Sequence, residues 1–167
     1  MTKVWVTGSK GQLGSELMAL SKKNNDFDFI FSDLPEIDLT KHDEVKKYFK
    51  EIKPDIVLNT AAYTAVDLAE SESEKAYAVN TYAVSNLAAL CSASKSFLVH
   101  ISTDFVFDGK RSTPYHEEVA SNPVGTYASS KNKGEIEVLL NTRKAAIIRT
   151  SWLYGNYGNN FMKTILE

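Results

Sequence analysis

An apolar run that ends in regularly spaced glycines constrains this chain more than any other feature. In Val4-Trp5-Val6-Thr7-Gly8-Ser9-Lys10-Gly11-Gln12-Leu13-Gly14 a buried strand runs into a turn, and the turn into a helix. Gly8 permits the sharp turn, Gly11 lets backbone approach a pyrophosphate, and Gly14 lets helix and strand pack closely. The helix N-terminus then offers its free N–H groups to an anion. The spacing is G-x-x-G-x-x-G, not the general G-x-G-x-x-G fingerprint, and a glycine triplet alone is often only a turn. Its place directly after the first strand favours phosphate binding, and with it a nicotinamide dinucleotide.

The rest of the chain alternates short apolar runs with amphipathic stretches, the pattern of βαβ units. Val4–Thr7, Phe27–Phe31, Ile56–Asn59, Phe97–Ser102 and Ala145–Arg149 read as buried strands of a parallel sheet. Thr40 with Asp43 resembles a capping box, followed at helical spacing by Val45, Tyr48, Phe49 and Ile52; Pro54 stops that helix. A long helix is expected from about Ser73 to Cys91, and another from about Ala128 to Leu140 with Ile136, Leu139 and Leu140 on one face. The expected fold is α/β, a Rossmann-like doubly wound parallel sheet with helices on both faces, forming one domain over residues 1–167. The segment Asn160 to Glu167 starts like a helix and stops without a cap. Its apolar Phe161, Ile165 and Leu166 need a partner, so it either folds back on this domain or belongs to a longer protein.

Composition narrows the function classes. The net charge is −2 and the basic residues are scattered, which argues against a nucleic-acid face. Cys91 is the single cysteine, so an intramolecular disulfide or a multi-cysteine zinc site is ruled out, and its apolar setting reads as a buried inert thiol. Lys3-Val4-Trp5-Val6 is no signal sequence, and no apolar run approaches the roughly 18 residues of a membrane span. A cytoplasmic protein without membrane partners is expected.

Two acidic residues suit the adenosine half of the ligand. Asp33 follows the second strand, where a carboxylate accepts hydrogen bonds from ribose hydroxyls, and Asp38 follows it closely, near the adenine edge. Either can equally be a loop or capping aspartate. Asp33 would repel a 2′-phosphate and so leans towards NAD, unless a cation such as Lys10 reverses the preference.

The chemistry lies further on. Ser102-Thr103-Asp104 ends the fourth strand at the carboxyl edge, where open α/β sheets bind ligands. In Tyr127-Ala128-Ser129-Ser130-Lys131 a phenol and an ammonium are four residues apart and share a helix face. A free phenol titrates near about 10 and is a poor acid–base group; a neighbouring Lys⁺ draws it towards a working value. Thr103 is placed to hydrogen-bond the reacting oxygen. Carbonyl reduction follows: hydride passes to a ketone carbon, Tyr127 supplies the proton, and Lys131 tunes Tyr127 and holds the nicotinamide ribose. His100 reads as structural, His42 and His116 as solvent-facing, and no spacing suggests a metal site.

These residues carry a resemblance that runs across essentially the whole chain. Its segments are Thr7-Gly8 through Gly14, Asn59 through Asp67, Ala69-Glu70-Ser71-Glu72, Val79-Asn80 and His100 through Gly109. Tyr127 to Lys131, Gly134-Glu135, Arg149 through Gly155 and Asn160-Phe161 complete it. The chain resembles the extended short-chain dehydrogenases/reductases, and within them the dTDP-4-dehydrorhamnose reductase family. The resemblance implies reduction of the 4-keto group of dTDP-4-dehydro-L-rhamnose by NADPH or NADH, giving dTDP-L-rhamnose for bacterial cell-surface polysaccharide. Carried over by position, Gly11, Gln12 and Leu13 meet the pyrophosphate, and Asp33, Asp38 and Leu39 the adenosine half. Ala61, Ala62 and Tyr63 line the nicotinamide side. Thr103, Asp104 and Trp152 face the sugar nucleotide, Tyr127 is the proton donor and Lys131 its partner.

Two departures qualify that transfer. Phe105 stands where the family usually has tyrosine, and the family continues past Asn160-Phe161 into a nucleotide-sugar domain that this sequence largely lacks. A cofactor-binding portion with little or no turnover of its own is therefore expected. Alternatives are a non-catalytic dinucleotide-binding subunit, like the relative found in methionine adenosyltransferase, and another sugar-nucleotide epimerase or dehydratase. The Thr103, Tyr127 and Lys131 set argues against the first; the absence of Glu after Asp104 argues against a dehydratase. Oligomeric state is open between monomer and homodimer, as is the choice between NADH and NADPH.

Overall fold

The structure is a computed structural model and describes residues 1–166. Five parallel strands form one sheet: β1 (Thr2–Thr7), β2 (Phe27–Ser32), β3 (Ile56–Asn59), β4 (Phe97–Thr103) and β5 (Ala145–Thr150). Their order is β2-β1-β3-β4-β5. The connections leave in opposite directions from the β1/β3 boundary, the switch point at which doubly wound sheets open a crevice for ligands. Register aligns that edge: Thr7 pairs with both Ser32 and Asn59, and Asn59 pairs with His100. Strands β4 and β5 continue past it to the Thr103–Thr150 pair.

One face of the sheet changes character along its length. At the amino end Trp5, Val57 and Leu98, fully buried and adjacent in register, pack under Val45 and Phe49 of α2 (His42–Ile52) and Leu87 and Cys91 of α5 (Ala83–Ser94). Two residues further along each strand the same face turns polar. The Thr7 hydroxyl donates to Asn59 Oδ1 at 2.7 Å, and Asn59 Nδ2 lies 3.1 Å from His100 Nδ1. Apolar burial secures the sheet, and buried polar groups, paired across strands, form its edge beneath the site.

The strands lie where the sequence pattern puts them, each within one or two residues. Three helical expectations change. No capping box forms at Thr40: its N–H and hydroxyl both donate to Asp38 Oδ1, and α2 starts after Lys41 without a side-chain cap. Asp38 offers the nearer acceptor, so an Asx-type turn wins the donor. The long helix after Ser73 is not uniform. It comprises α4 (Ser73–Tyr77), a π-helical turn (Ala78–Tyr82) and α5, preceded by the short α3 (Val66–Ala69). The last long helix, α6 (Thr126–Asn141), turns Ile136, Leu139 and Leu140 outwards and buries Ser130, Lys131, Gly134, Glu135 and Val138. Cys91 is buried as expected, and its desolvated thiol is pushed up to about 12.

Helix α1 (Gln12–Ser21) follows the glycine loop, and the short α7 (Phe161–Leu166) closes the described chain. Phe161 meets Trp152 edge-on at 5.0 Å, while Ile165 and Leu166 are exposed. Among the described residues no helix is long and apolar enough to cross a membrane. Nor does any group of three or more His, Cys, Asp or Glu among them suit a metal ion.

Candidate active site

The carboxyl ends of the strands surround one large cavity, and every candidate position from the sequence lies on its wall. At the β1 end the glycine loop needs its glycines for steric reasons. Gly8 has φ of +67°, and a Cβ there would stand 2.6 Å from Ala61 Cα and N. A Cβ on Gly14 would stand 2.3 Å from Gly8 O and 2.6 Å from Ser9 Cα, so α1 could not lie this close to the Gly8–Ser9 turn with any other residue. Gly11 is the N-cap of α1, without a side-chain cap and without an acidic residue in the first turn. The helix therefore presents open N–H groups and a positive dipole end to the cavity, as a pyrophosphate requires. Gln12 and Leu13 border that opening.

Asp33 is gripped by backbone: the N–H of Lys10 donates to Oδ2 at 2.8 Å and that of Leu34 to Oδ1 at 2.7 Å. Asp38 serves the Thr40 turn, whose hydroxyl bond holds its carboxyl below the ordinary value, while it still borders the cavity beside Leu39. Ala61 and Ala62 form the floor after β3, next to Tyr63. Tyr63 is fixed at three points: its N–H donates to Asn80 Oδ1, its C=O accepts from Asn80 Nδ2, and its hydroxyl donates to Glu72 Oε2 at 2.8 Å. The same Asn80 amide donates to Ser130 Oγ at 3.0 Å. Asn80 sits in the π-helical turn, and that turn aims it at the site.

Helix α6 delivers Tyr127 and Lys131. Its start is capped from a distance, since Glu70 accepts from the Thr126 N–H and hydroxyl at 2.7 and 2.9 Å. Lys131 is 2% exposed and donates to Ile101 O at 2.7 Å; desolvation draws its ammonium down to about 8, opposed by the nearby Glu135. Glu135 in turn forms a two-point ion pair with Arg149, whose guanidinium also stacks on Phe107. The Tyr127 phenol is not drawn down as the Tyr–Lys spacing suggests. Burial raises it, Asp104 raises it further, and the Thr103 hydroxyl opposes both. Thr103 donates to Asp104 Oδ1 at 3.2 Å and accepts from Phe105 N–H at 3.2 Å. Phe105 meets Tyr127 edge-on at 5.8 Å. His100 is fully buried and held neutral, far from the role of an exposed base.

Of the segment after β5, sequence reasoning named only Trp152, by resemblance, and missed its neighbours on the cavity wall, Ser151, Leu153, Gly158 and Asn159. They reach it because Gln12 Nε2 donates to Leu153 O at 2.8 Å and the Asn156 N–H donates to Glu16. Trp152 itself has φ of +49°, a left-handed backbone rarely held by a bulky residue. Nothing in local pattern marks such a return of an irregular segment onto the first helix. The positioning role of Asn80 was also missed, although Val79-Asn80 stood out by resemblance.

Comparisons with known proteins show the family and the fold. The family model described as "RmlD substrate binding domain" matches residues 2–167. A protein of Aggregatibacter actinomycetemcomitans named dTDP-4-dehydrorhamnose reductase is 42% identical over all of this chain and 57% of its own length. A solved dTDP-4-dehydrorhamnose reductase of Clostridium acetobutylicum superposes with a TM-score of 0.94 at 41% identity, covering 99% of this chain and 58% of that one. The dTDP-4-dehydrorhamnose reductase of Bacillus anthracis, solved in complex with NADP, gives a TM-score of 0.94 at 40% identity, with 99% and 59% covered. The chain thus spans rather more than half the length of the relatives it matches. With the cavity, the glycine loop and the full-length match in agreement, the chain belongs to the RmlD substrate binding domain family.

Proposed function

We propose that this chain is the cofactor-binding portion of an NAD(P)H-dependent ketoreductase that acts on dTDP-4-dehydro-L-rhamnose and yields dTDP-L-rhamnose. The observation that carries the proposal is the single cavity shared by the uncapped α1 N-terminus, Asp33, Thr103, Tyr127 and Lys131. A nucleotide binder without chemistry has no need of a buried ammonium, costly to place, on the same cavity wall as a half-buried phenol. The relatives named for this reaction support the choice of sugar nucleotide.

The dinucleotide would lie along Gly11, Gln12 and Leu13, with Asp33 and Asp38 at its adenosine end and Ala61, Ala62 and Tyr63 at its nicotinamide end. When bound, it supplies the hydride. The chain's own residues handle the oxygen. A phenol raised above its ordinary value stays protonated at neutral pH, so Tyr127 is set to donate to a developing alkoxide rather than to act as a base. The Thr103 hydroxyl, by turning from Asp104, donates to the same oxygen. Lys131 steadies the phenolate left behind and supplies positive charge within a dry wall. Trp152, held in its unusual backbone by the returning segment, borders the sugar side with Asp104.

The test is to offer dTDP-4-dehydro-L-rhamnose with NADH or NADPH and follow loss of reduced nicotinamide absorbance. It is run on the chain and on a chimera completed with the C-terminal part of the Aggregatibacter relative. Oxidation that Tyr127→Phe abolishes, with cofactor affinity kept within about two-fold, supports the assignment. Cofactor binding without oxidation by either protein overturns it.

A further inference from the structure

At the adenosine end of the cavity the wall residue Lys10 is held by Glu36, outside the wall, in an ion pair that the proposed reaction does not use. This inference rests on the reading of the cavity as a nicotinamide-dinucleotide site. Asp33 is oriented before any ligand arrives, because each of its carboxylate oxygens takes one backbone N–H, from Lys10 and Leu34. Its remaining lone pairs are free for two ribose hydroxyls. Lys10, adjacent in space through its own N–H, directs its side chain away from that carboxylate. Its Nζ donates to Leu34 O at 2.5 Å and lies 3.2 Å from both Glu36 carboxylate oxygens.

The charges decide what this end can accept. Lys10 and Lys131 are the only cations on the cavity wall among the described residues, and Lys131 is bound to Ile101 O near the phenol. Asp33 and Asp38 face the adenosine end; Lys41, beside Asp38, lies outside the wall. Lys10 is therefore the one wall cation able to answer a 2′-phosphate there, and Glu36 competes for it. A 2′-hydroxyl needs only an acceptor, which Asp33 supplies. A 2′-phosphate brings about two negative charges next to Asp33 and needs the ammonium.

We propose that Glu36 is a specificity-determining residue acting through Lys10: it holds the ammonium over the Leu34–Glu36 turn and biases the chain towards NADH over NADPH. Both partners are more than half exposed, at 56% and 59%, so the restraint is modest and weakened by salt. Its removal changes one ligand and not the other, because NADH makes no demand on Lys10.

Titrations of the chain with NADH and NADPH, read by nicotinamide fluorescence at low and high salt, test this without any turnover. The wild type is expected to bind NADH several-fold more tightly. Glu36→Gln should tighten NADPH by roughly 3- to 10-fold at low salt and leave NADH within about two-fold. Adding Lys10→Met to Glu36→Gln should erase that gain. Equal or tighter binding of NADPH by the wild type overturns the proposal, and so does a Glu36→Gln variant whose NADH-to-NADPH ratio is unchanged. Binding of neither dinucleotide by a chain with native circular dichroism overturns the underlying site reading, and the proposal with it. Failure of both the chain and the completed chimera to oxidise cofactor, with the ratio shifted as expected, overturns the ketoreductase alone.

Discussion

At position 131 a lysine gives up most of its hydration for one carbonyl. Its ammonium is drawn from 10.5 to about 8 by burial, a cost of about 3 kcal/mol for the charged form at neutral pH. The group binds its proton less tightly in the folded than in the unfolded chain. Below pH 8 both states carry the proton and the whole cost is present; it is relieved as pH rises from about 8 to 10.5. Lys131→Met, which keeps the shape and drops the charge, is therefore expected to stabilise the chain by about 1–2 kcal/mol at pH 7, after loss of the Ile101 bond. Urea denaturation from pH 7 to 10.5 should show the gap closing; a constant gap would contradict the assignment of cost to charge. The same residue sets a limit on chemistry. The proposed reduction, followed in the completed chimera, should decline above pH 8 as the ammonium loses its proton, a limb that pH–rate profiles should lose in Lys131→Arg.

Helix α6 shows how polar pairing overrides pattern. Its sequence places Ile136, Leu139 and Leu140 on one stripe, and burial of that stripe would be the ordinary choice. The buried side instead carries Ser130, Lys131, Gly134 and Glu135, because Asn80, Arg149 and Ile101 wait opposite with matching polar groups. Periodicity alone identified the helix but not its inward side. Gly134 is the point of closest approach: a Cβ there would stand 2.1 Å from the Asn80 carbonyl oxygen. Gly134→Ala must push α6 off the π-helical turn, and we expect a loss of about 3 kcal/mol in thermal or denaturant unfolding. Full stability in that variant would mean that the two helices slide apart without cost. Strands were legible because near-continuous apolar runs such as Phe97–Ser102 have few alternatives in a chain of this length. The π-helical turn was not, since a helix with one residue extra keeps an ordinary composition.

Over the whole molecule, the cavity has two kinds of wall. Loops after β1, β2, β3 and β4 follow from strand order and were legible once the glycines located the edge of the sheet. The segment after β5 was legible only at Trp152, through the resemblance, because its place depends on single bonds to α1 far away in sequence. Gln12 makes one of them, to Leu153 O. Gln12→Ala should weaken dinucleotide binding by about 3- to 10-fold, the worth of one hydrogen bond, and leave the melting temperature nearly unchanged. Isothermal titration with calorimetric melting would show it; unchanged affinity would mean that the wall is held without Gln12.

The π-helical turn also bears on how this chain tolerates insertion and deletion. Residues on either side of Ala78–Tyr82 belong to helices out of phase by the extra residue, about 100° of rotation. Deleting one residue between Ala78 and Tyr82 would restore a regular helix and keep the composition of every other element. It would also swing Asn80 away from Tyr63 or rotate the whole of α5 out of the core. Such a deletion is silent by any measure of helix propensity, yet it disconnects the floor of the cavity from the helix that carries Tyr127.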